Sequence, residues 1–166
     1  SGSQAMDLWG AKSPVVDFHF ANLTDLPLAR LEIDGQAIAL GEQALRPEYA
    51  EDAGCTNRNY SGYAITRIDK PLSVRWQFAQ ANPEWHEGQI SVTGFGPVQR
   101  GGRPRSTSVS LFFQANGSIA AEAWQLIDLP GDQLALRIHA PTPLQHEPPC
   151  GRARDRFADS VKIVQE

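Results

Sequence analysis

Cysteine, positive charge and long apolar runs are all scarce in this chain of 166 residues. Its two cysteines, Cys55 and Cys150, belong to no Cys-x-x-Cys pair, which argues against a zinc or thioredoxin-type site. No apolar run is long enough for a membrane-spanning helix. The net charge of −4 argues against general binding to nucleic acid or to an anionic membrane surface.

Motifs for catalysis and for cofactors are also missing. No glycine-rich stretch continues into the Lys-Ser/Thr of a P-loop, and there is no Gly-x-Ser-x-Gly elbow. His86-Glu87 and His146-Glu147 each lack the second histidine of a zincin helix. His19 lies between two phenylalanines, which is typical of a structural histidine. We therefore expect no metal ion, no cofactor and no enzymatic activity.

Turn-forming residues, in contrast, are plentiful, with Gly 14 and Pro 12 spread along the chain. Asn116-Gly117 separates two apolar-rich arms between residues 108 and 124, which predicts a β-hairpin with a type I′ turn. Asp34-Gly35 predicts a second hairpin, between strands at 28–34 and 36–40.

Strict alternation predicts the best single strand, Leu72–Phe78, and gives it one buried face. Further strands are predicted at 15–22, 89–93, 126–129 and 134–139. Residues 1–6 look like a remnant of cloning, so residues 7–166 are interpreted as a single β domain. The predicted fold class is all-β: an antiparallel β-sandwich built from hairpins, with a short C-terminal helix.

Two segments interrupt the strand pattern. Residues 41–63 lack periodicity and carry several carboxylates, which predicts a long acidic loop. In the C-terminal segment 151–165, Phe157 and Val161 have helical spacing, although Ile163 also fits a final strand. Residues 94–105 form a loop rich in Gly, Pro and Arg, which reads as a solvated connection or as a basic contact surface.

The acidic loop is the main candidate for a protein contact, because it combines carboxylates with Tyr and Arg, types that are enriched at interface hot spots. The alternative interpretation is that its aromatic residues pack beneath the loop. The candidate partner-binding residues are Glu48, Tyr49, Glu51, Asp52, Arg58 and Tyr60.

The two cysteines leave two interpretations open. In an exported protein, Cys55 and Cys150 would most simply form one disulfide, which would tie the acidic loop to the start of the C-terminal segment. Closing so long a loop is worth about 4 kcal/mol in the chain-entropy model. The alternative is two unpaired thiols.

Several stretches occur in an order that resembles one protein family. They are Phe-His-Phe-Ala-Asn-Leu-Thr-Asp at 18–25, Leu-Glu-Ile-Asp-Gly at 31–35, Gly-Cys at 54–55, Pro-Leu-Ser-Val-Arg-Trp at 71–76 and Val-Ser-Leu-Phe-Phe-Gln-Ala-Asn-Gly at 109–117. Together they resemble uncharacterised Gram-negative lipoproteins found beside type VI secretion effectors and presumed to be immunity proteins. The resemblance covers residues 15–125.

The resemblance implies a periplasmic protein, lipid-anchored through an N-terminal cysteine outside this sequence. Its partner would be a cognate effector toxin from the same locus, often a lipase or phospholipase, which it would bind and neutralise. One alternative is a β-sandwich ligand- or carbohydrate-binding module of the cell envelope, with Trp85, Trp124 or Tyr60 as a stacking platform. The other is an enzyme whose site is assembled from distant segments.

Overall fold

The fold is taken from a computed structural model, which describes residues 15–40, 45–49, 61–65, 70–92, 95, 98, 101–139, 143–157 and 162–165. In this part of the chain nearly all regular structure is β. The strands are β1 (Val15–Leu23), β2 (Leu28–Ile33), β3 (Gln36–Ile38), β4 (Ser61–Ile65), β5 (Leu72–Phe78), β6 (His86–Ile90), β7 (Arg103–Gln114), β8 (Ile119–Leu129), β9 (Gln133–His139) and β10 (Lys162–Gln165).

The strands form two sheets. A six-stranded sheet has the order β10-β9-β8-β7-β1-β4, and a four-stranded sheet has the order β3-β2-β5-β6. All pairs are antiparallel except β1 with β7 and β10 with β9, which are parallel. The prediction of an all-β, mostly antiparallel fold is confirmed.

The central hairpin, β7–β8, is present, but its turn is not type I′. A type I′ turn needs a positive φ at both Asn116 and Gly117, but only Gly117 has one, 88°. The N–H of Gly117 donates to the carbonyl of Gln114, and the N–H of Gln114 donates to the carbonyl of Ser118. This is the pattern of a type I turn followed by a glycine bulge. Asn116 contributes through its side chain instead, because Oδ1 accepts the N–H of Ser118 at 3.0 Å.

The other predicted hairpin, β2–β3, is confirmed together with its turn residues. Asp34 and Gly35 have φ values of 49° and 78°, so both lie in the left-handed region that a two-residue hairpin turn needs. The Asp34 carboxylate also accepts the N–H of Ser73 at 2.9 Å. The turn is thereby attached to the beginning of β5.

The main core lies between the two sheets. Alternate residues of each strand point into it, as the period of two requires. The predicted buried face of β5 is confirmed, because Leu72, Val74 and Trp76 are buried and Phe78 packs half-buried against them. From the six-stranded sheet the largest contributions are Phe18, Phe20, Val109, Leu111 and Phe113.

The outer face of the six-stranded sheet is buried as well, under residues 143–157. Leu144 packs on a cluster that contains Phe112 and Leu23, and Ala153 packs on a cluster that contains Trp124 and Leu136. The N–H of Gln145 donates to the side chain of Gln114 at 2.8 Å. We call residues 143–157 the C-terminal strap.

The predicted C-terminal helix is observed as one 3-10 helix, Ala153–Phe157, and it does not extend over 151–165. Residues 162–165 form β10, the final strand that Ile163 also suggested. The strand is favoured because its backbone hydrogen bonds pair with the edge of β9. Similarly, the loop predicted over 41–63 stops at β4, whose residues pair with β1.

A buried ionic cluster holds the strap on the sheet. The Glu122 side chain on β8 is 1 % exposed and meets the Arg152 guanidinium at 2.6 Å and the Arg154 guanidinium at 3.3 Å. Arg152, itself 9 % exposed, also binds Glu147 at 2.8 Å. Burial raises the pKa of the Glu122 carboxyl, although both arginines act to lower it. The carboxylate therefore depends on these arginines to stay ionised.

We expect Arg152→Met to destabilise the fold by about 3–5 kcal/mol at pH 7, because it leaves Glu122 with one guanidinium fewer in a buried site. Loss of that guanidinium raises the folded-state pKa of Glu122 further above its unfolded value. The variant then loses stability as pH rises through the folded-state pKa of Glu122. The loss of unfolding free energy relative to the unchanged protein is therefore smaller at pH 5 than at pH 7. Urea unfolding at both pH values measures it.

The matched control is Arg105→Met, because Arg105 pairs with Asp128 at 2.6 Å on the exposed surface. Such an exposed pair contributes little to stability, so the unfolding midpoint should stay within error at both pH values. If Arg152→Met behaves like this control, the ionic cluster does not hold the strap.

Candidate functional site

A cleft opens between the two sheets at one end of the sandwich. Its volume is about 210 Å³. It is bounded by the β1–β2 turn, the ends of β5 and β7, the start of β6, and the β7–β8 turn. The lining residues are Thr24, Asp25, Leu26, Trp76, Phe78, His86, Phe113, Gln114, Ala115, Gly117 and Ser118.

Four of the residues that line the cleft are aromatic, and three pairwise contacts join their rings. Trp76 and His86 are cross-strand partners on β5 and β6, and their rings stack with centroids 5.7 Å apart. Phe78 meets the His86 ring edge-on at 5.2 Å. From the opposite sheet, Phe113 meets Trp76 edge-on at 5.5 Å. These contacts fix the rings before any ligand arrives.

The rim of the cleft is shaped by one buried amide, that of Asn22 at the end of β1. Its Nδ2 donates to the carbonyls of Leu26 at 2.7 Å and Leu45 at 3.0 Å. Its Oδ1 accepts the N–H of Thr24 at 3.0 Å and the hydroxyl of Thr24 at 2.6 Å. All four hydrogen-bonding positions of the amide are therefore used. The β1–β2 turn, with Asp25 and Leu26, is fixed as a result.

The same amide attaches the segment from Leu45 to Tyr49, where two predicted contact residues lie. Leu45 forms an antiparallel bridge with Leu28, and the N–H of Glu48 donates to the carbonyl of Asn22 at 2.9 Å. The described large hydrophobic side chains that are exposed are Leu26, at 39 %, and Tyr49, at 49 %. Both belong to segments that Asn22 holds together.

The other predicted contact residues, Glu51, Asp52, Arg58 and Tyr60, lie outside the described residues. The same holds for Cys55, so the predicted disulfide stays a prediction. Cys150 lies within the strap, is buried and is not a free thiol.

The ligand-module alternative requires exposed aromatic rings, and the described candidates, Trp124 and Trp85, do not meet this requirement. Trp124 is buried, and its indole N–H donates to Ser110 Oγ at 3.0 Å. The guanidinium of Arg75 lies 4.3 Å from the centroid of the Trp85 ring and covers one face of it. Tyr60 lies outside the described residues. A row of exposed aromatic rings is therefore not seen at Trp85 and Trp124.

Two further properties of the described residues concern metal binding and membrane insertion. Within the described ranges, no group of three or more His, Cys, Asp or Glu side chains is placed to hold a metal ion. Among the same residues, no helix is both long and apolar enough to cross a membrane.

Sequence reasoning missed the cleft because its rings looked like ordinary core residues. Trp76 and Phe78 were predicted correctly to share the inner face of β5. However, alternation does not show where the inner face of one sheet extends past the end of the opposite sheet. The signal that could have found the cleft is the polar run Asn22-Leu23-Thr24-Asp25, since a short turn of this composition needs its own hydrogen-bonding scheme.

We expect Asn22→Ala to lower the free energy of unfolding by about 2–3 kcal/mol, because it removes all four hydrogen bonds of the amide and leaves the buried N–H of Thr24 without its acceptor. The matched control is Gln89→Ala, which removes an exposed side-chain amide from β6 and should change stability little. Hydrogen exchange should show that the backbone amide of Thr24, whose acceptor is Asn22 Oδ1, loses protection in Asn22→Ala only. Equal effects of the two substitutions would show that Asn22 does not organise the rim.

Comparison with known proteins adds no relative to this description. No protein-family model matches the chain, and neither a curated protein nor a solved structure matches it. The function is therefore inferred from the geometry of the cleft end and from the resemblance over residues 15–125.

Proposed function

We propose that this protein is a periplasmic immunity protein that binds and neutralises a cognate secreted antibacterial toxin, such as a lipase or phospholipase, and that it has no enzymatic activity of its own. The toxin would bind at the cleft end of the sandwich. One observation carries the proposal: the exposed Leu26, the exposed Tyr49 and the aromatic cleft are held together at that end by the Asn22 amide.

This surface has the character of a protein-binding site. Leu26 and Tyr49 are large side chains that stay exposed although the rest of the described hydrophobic set is packed. Exposed hydrophobic groups that cluster next to polar residues are typical of interaction surfaces. The hydrogen bonds of Asn22 also fix the rim in advance, which reduces the ordering cost of binding.

The size of the cleft favours a macromolecular partner over a small ligand. Its volume of about 210 Å³ is below the roughly 300–1,000 Å³ of typical small-molecule pockets. A stable protein complex buries about 1,600 Å² in total, so the contact would extend well beyond the cleft. The other predicted contact residues, Glu51, Asp52, Arg58 and Tyr60, follow Tyr49 along the chain and would extend this surface.

The direct test is protection of a bacterial host. The effector encoded beside this protein is exported to the periplasm, with this protein exported to the same compartment or retained in the cytoplasm. We expect survival only when both are in the periplasm. Survival with cytoplasmic retention would contradict the proposed location, and death in both cases would contradict the proposed function for that pair.

Leu26→Glu should abolish protection and weaken binding to the purified effector at least about tenfold, because it places a charge in an apolar contact. Gln133→Glu is the matched control. It introduces the same side chain at an exposed position where β9 begins, at the opposite end of the sandwich. Affinity is measured by calorimetry on both folded variants.

If both variants bind the effector as the unchanged protein does, the contact surface is not at the cleft end. If binding fails for every neighbouring effector and a glycan shifts the Trp76 resonance, the ligand-module alternative is favoured instead. The aromatic walls of the cleft are the specific observation that keeps this second candidate.

A further inference from the structure

We infer that the cleft is a socket for one arginine side chain of the bound protein, with Asp25 as its counter-charge. This inference rests on the proposed function, because it names the chemistry of the group that the partner would insert. Three features of the cleft carry it: its rings, its single carboxylate and its size.

The rings favour a cation. Of the four rings that line the cleft, Trp76 and Phe113 are buried, whereas Phe78 is half-buried and His86 is exposed. Phe78 and His86 are therefore the rings that a guest can reach, and the faces of aromatic rings attract cationic groups. A planar guanidinium can also stack on such rings, whereas the ammonium group of lysine is more strongly hydrated. The aliphatic stem of an arginine can pack on the exposed side chain of Leu26 at the rim.

Asp25 makes a neutral guest unfavourable. It is exposed at the rim and forms no ion pair with any residue in the described part of the chain. An apolar side chain inserted beside it would remove water from the carboxylate without replacing the lost interaction. A guanidinium replaces it with charge-assisted hydrogen bonds. The net charge of −4 further favours a basic partner surface.

The cleft also has room for little more than one long side chain. Its volume of about 210 Å³ is open to solvent at the end of the sandwich, so a side chain can enter without opening the sheets. The Asn22 and Thr24 hydrogen bonds hold the backbone on both sides of Asp25 before binding. The socket is therefore formed in the unbound protein.

The test uses N-acetyl-arginine amide as the probe, titrated into the full chain labelled with 15N. We expect saturable shifts of the Trp76 indole N–H and the Asp25 backbone N–H at millimolar concentration. N-acetyl-lysine amide should bind more weakly, and N-acetyl-norleucine amide should give no saturable shift. Asp25→Asn should weaken arginine-amide binding about three- to tenfold.

Asp132→Asn is the matched control, because Asp132 is an exposed aspartate in the β8–β9 turn at the opposite end. Its φ of 58° suits asparagine equally well, so the fold is unaffected. Equal binding of the norleucine and arginine amides, or no effect of Asp25→Asn, would overturn the inference. So would the absence of saturable shifts with the arginine amide.

This test separates the inference from the proposed function, because the amide probe does not depend on any toxin. Arginine-amide binding that Asp25→Asn weakens supports the socket even if no neighbouring effector is neutralised. Conversely, neutralisation that Leu26→Glu abolishes and Asp25→Asn leaves at full affinity supports the immunity function and overturns the socket.

Discussion

The buried amide of Asn22 is the interaction on which the functional end of this molecule depends. It lies where β1 leaves the six-stranded sheet, and each of its hydrogen-bonding positions meets a partner from the next turn or from the 45–49 segment. Two stretches that have no regular structure of their own are thereby fixed next to the cleft. The shape of the proposed binding surface is therefore set by one buried polar side chain and not by hydrophobic packing.

The two sheets make different contributions to the molecule. The inner face of the four-stranded sheet packs in the main core, and among the described residues its outer face carries partly exposed polar groups such as the Arg75–Glu32 pair. The six-stranded sheet is buried on both faces, because the C-terminal strap covers the side that points away from the sandwich. This difference explains why Ser110, Glu122 and Trp124 are buried although they do not point into the main core.

Much of the fold could be predicted from the sequence, but the site could not. Alternation identified β5 with its bounds, and Asp34-Gly35 specified both a hairpin and its turn geometry, because these signals act over a few residues. The predicted type I′ geometry of the β7–β8 turn was wrong, since Asn116 caps the turn with its side chain and does not adopt positive φ. The cleft joins residues from the β1–β2 turn, β5, β6 and the β7–β8 hairpin, and no local pattern reports how two sheets are offset at their ends.

The parallel pairing of β1 with β7 has a consequence for how the protein folds. The first strand of the six-stranded sheet finds its central neighbour only after about eighty further residues have been synthesised. Such long-range pairing raises the contact order and slows folding towards the millisecond-to-second range. Until β7 is synthesised, β1 has β4 as its described neighbour in the sheet, and Phe18 and Phe20, which are buried in the folded protein, lack the contacts of the completed core. Completion of the six-stranded sheet is therefore expected to be a late step of folding, and the partly folded chain that precedes it is prone to aggregation.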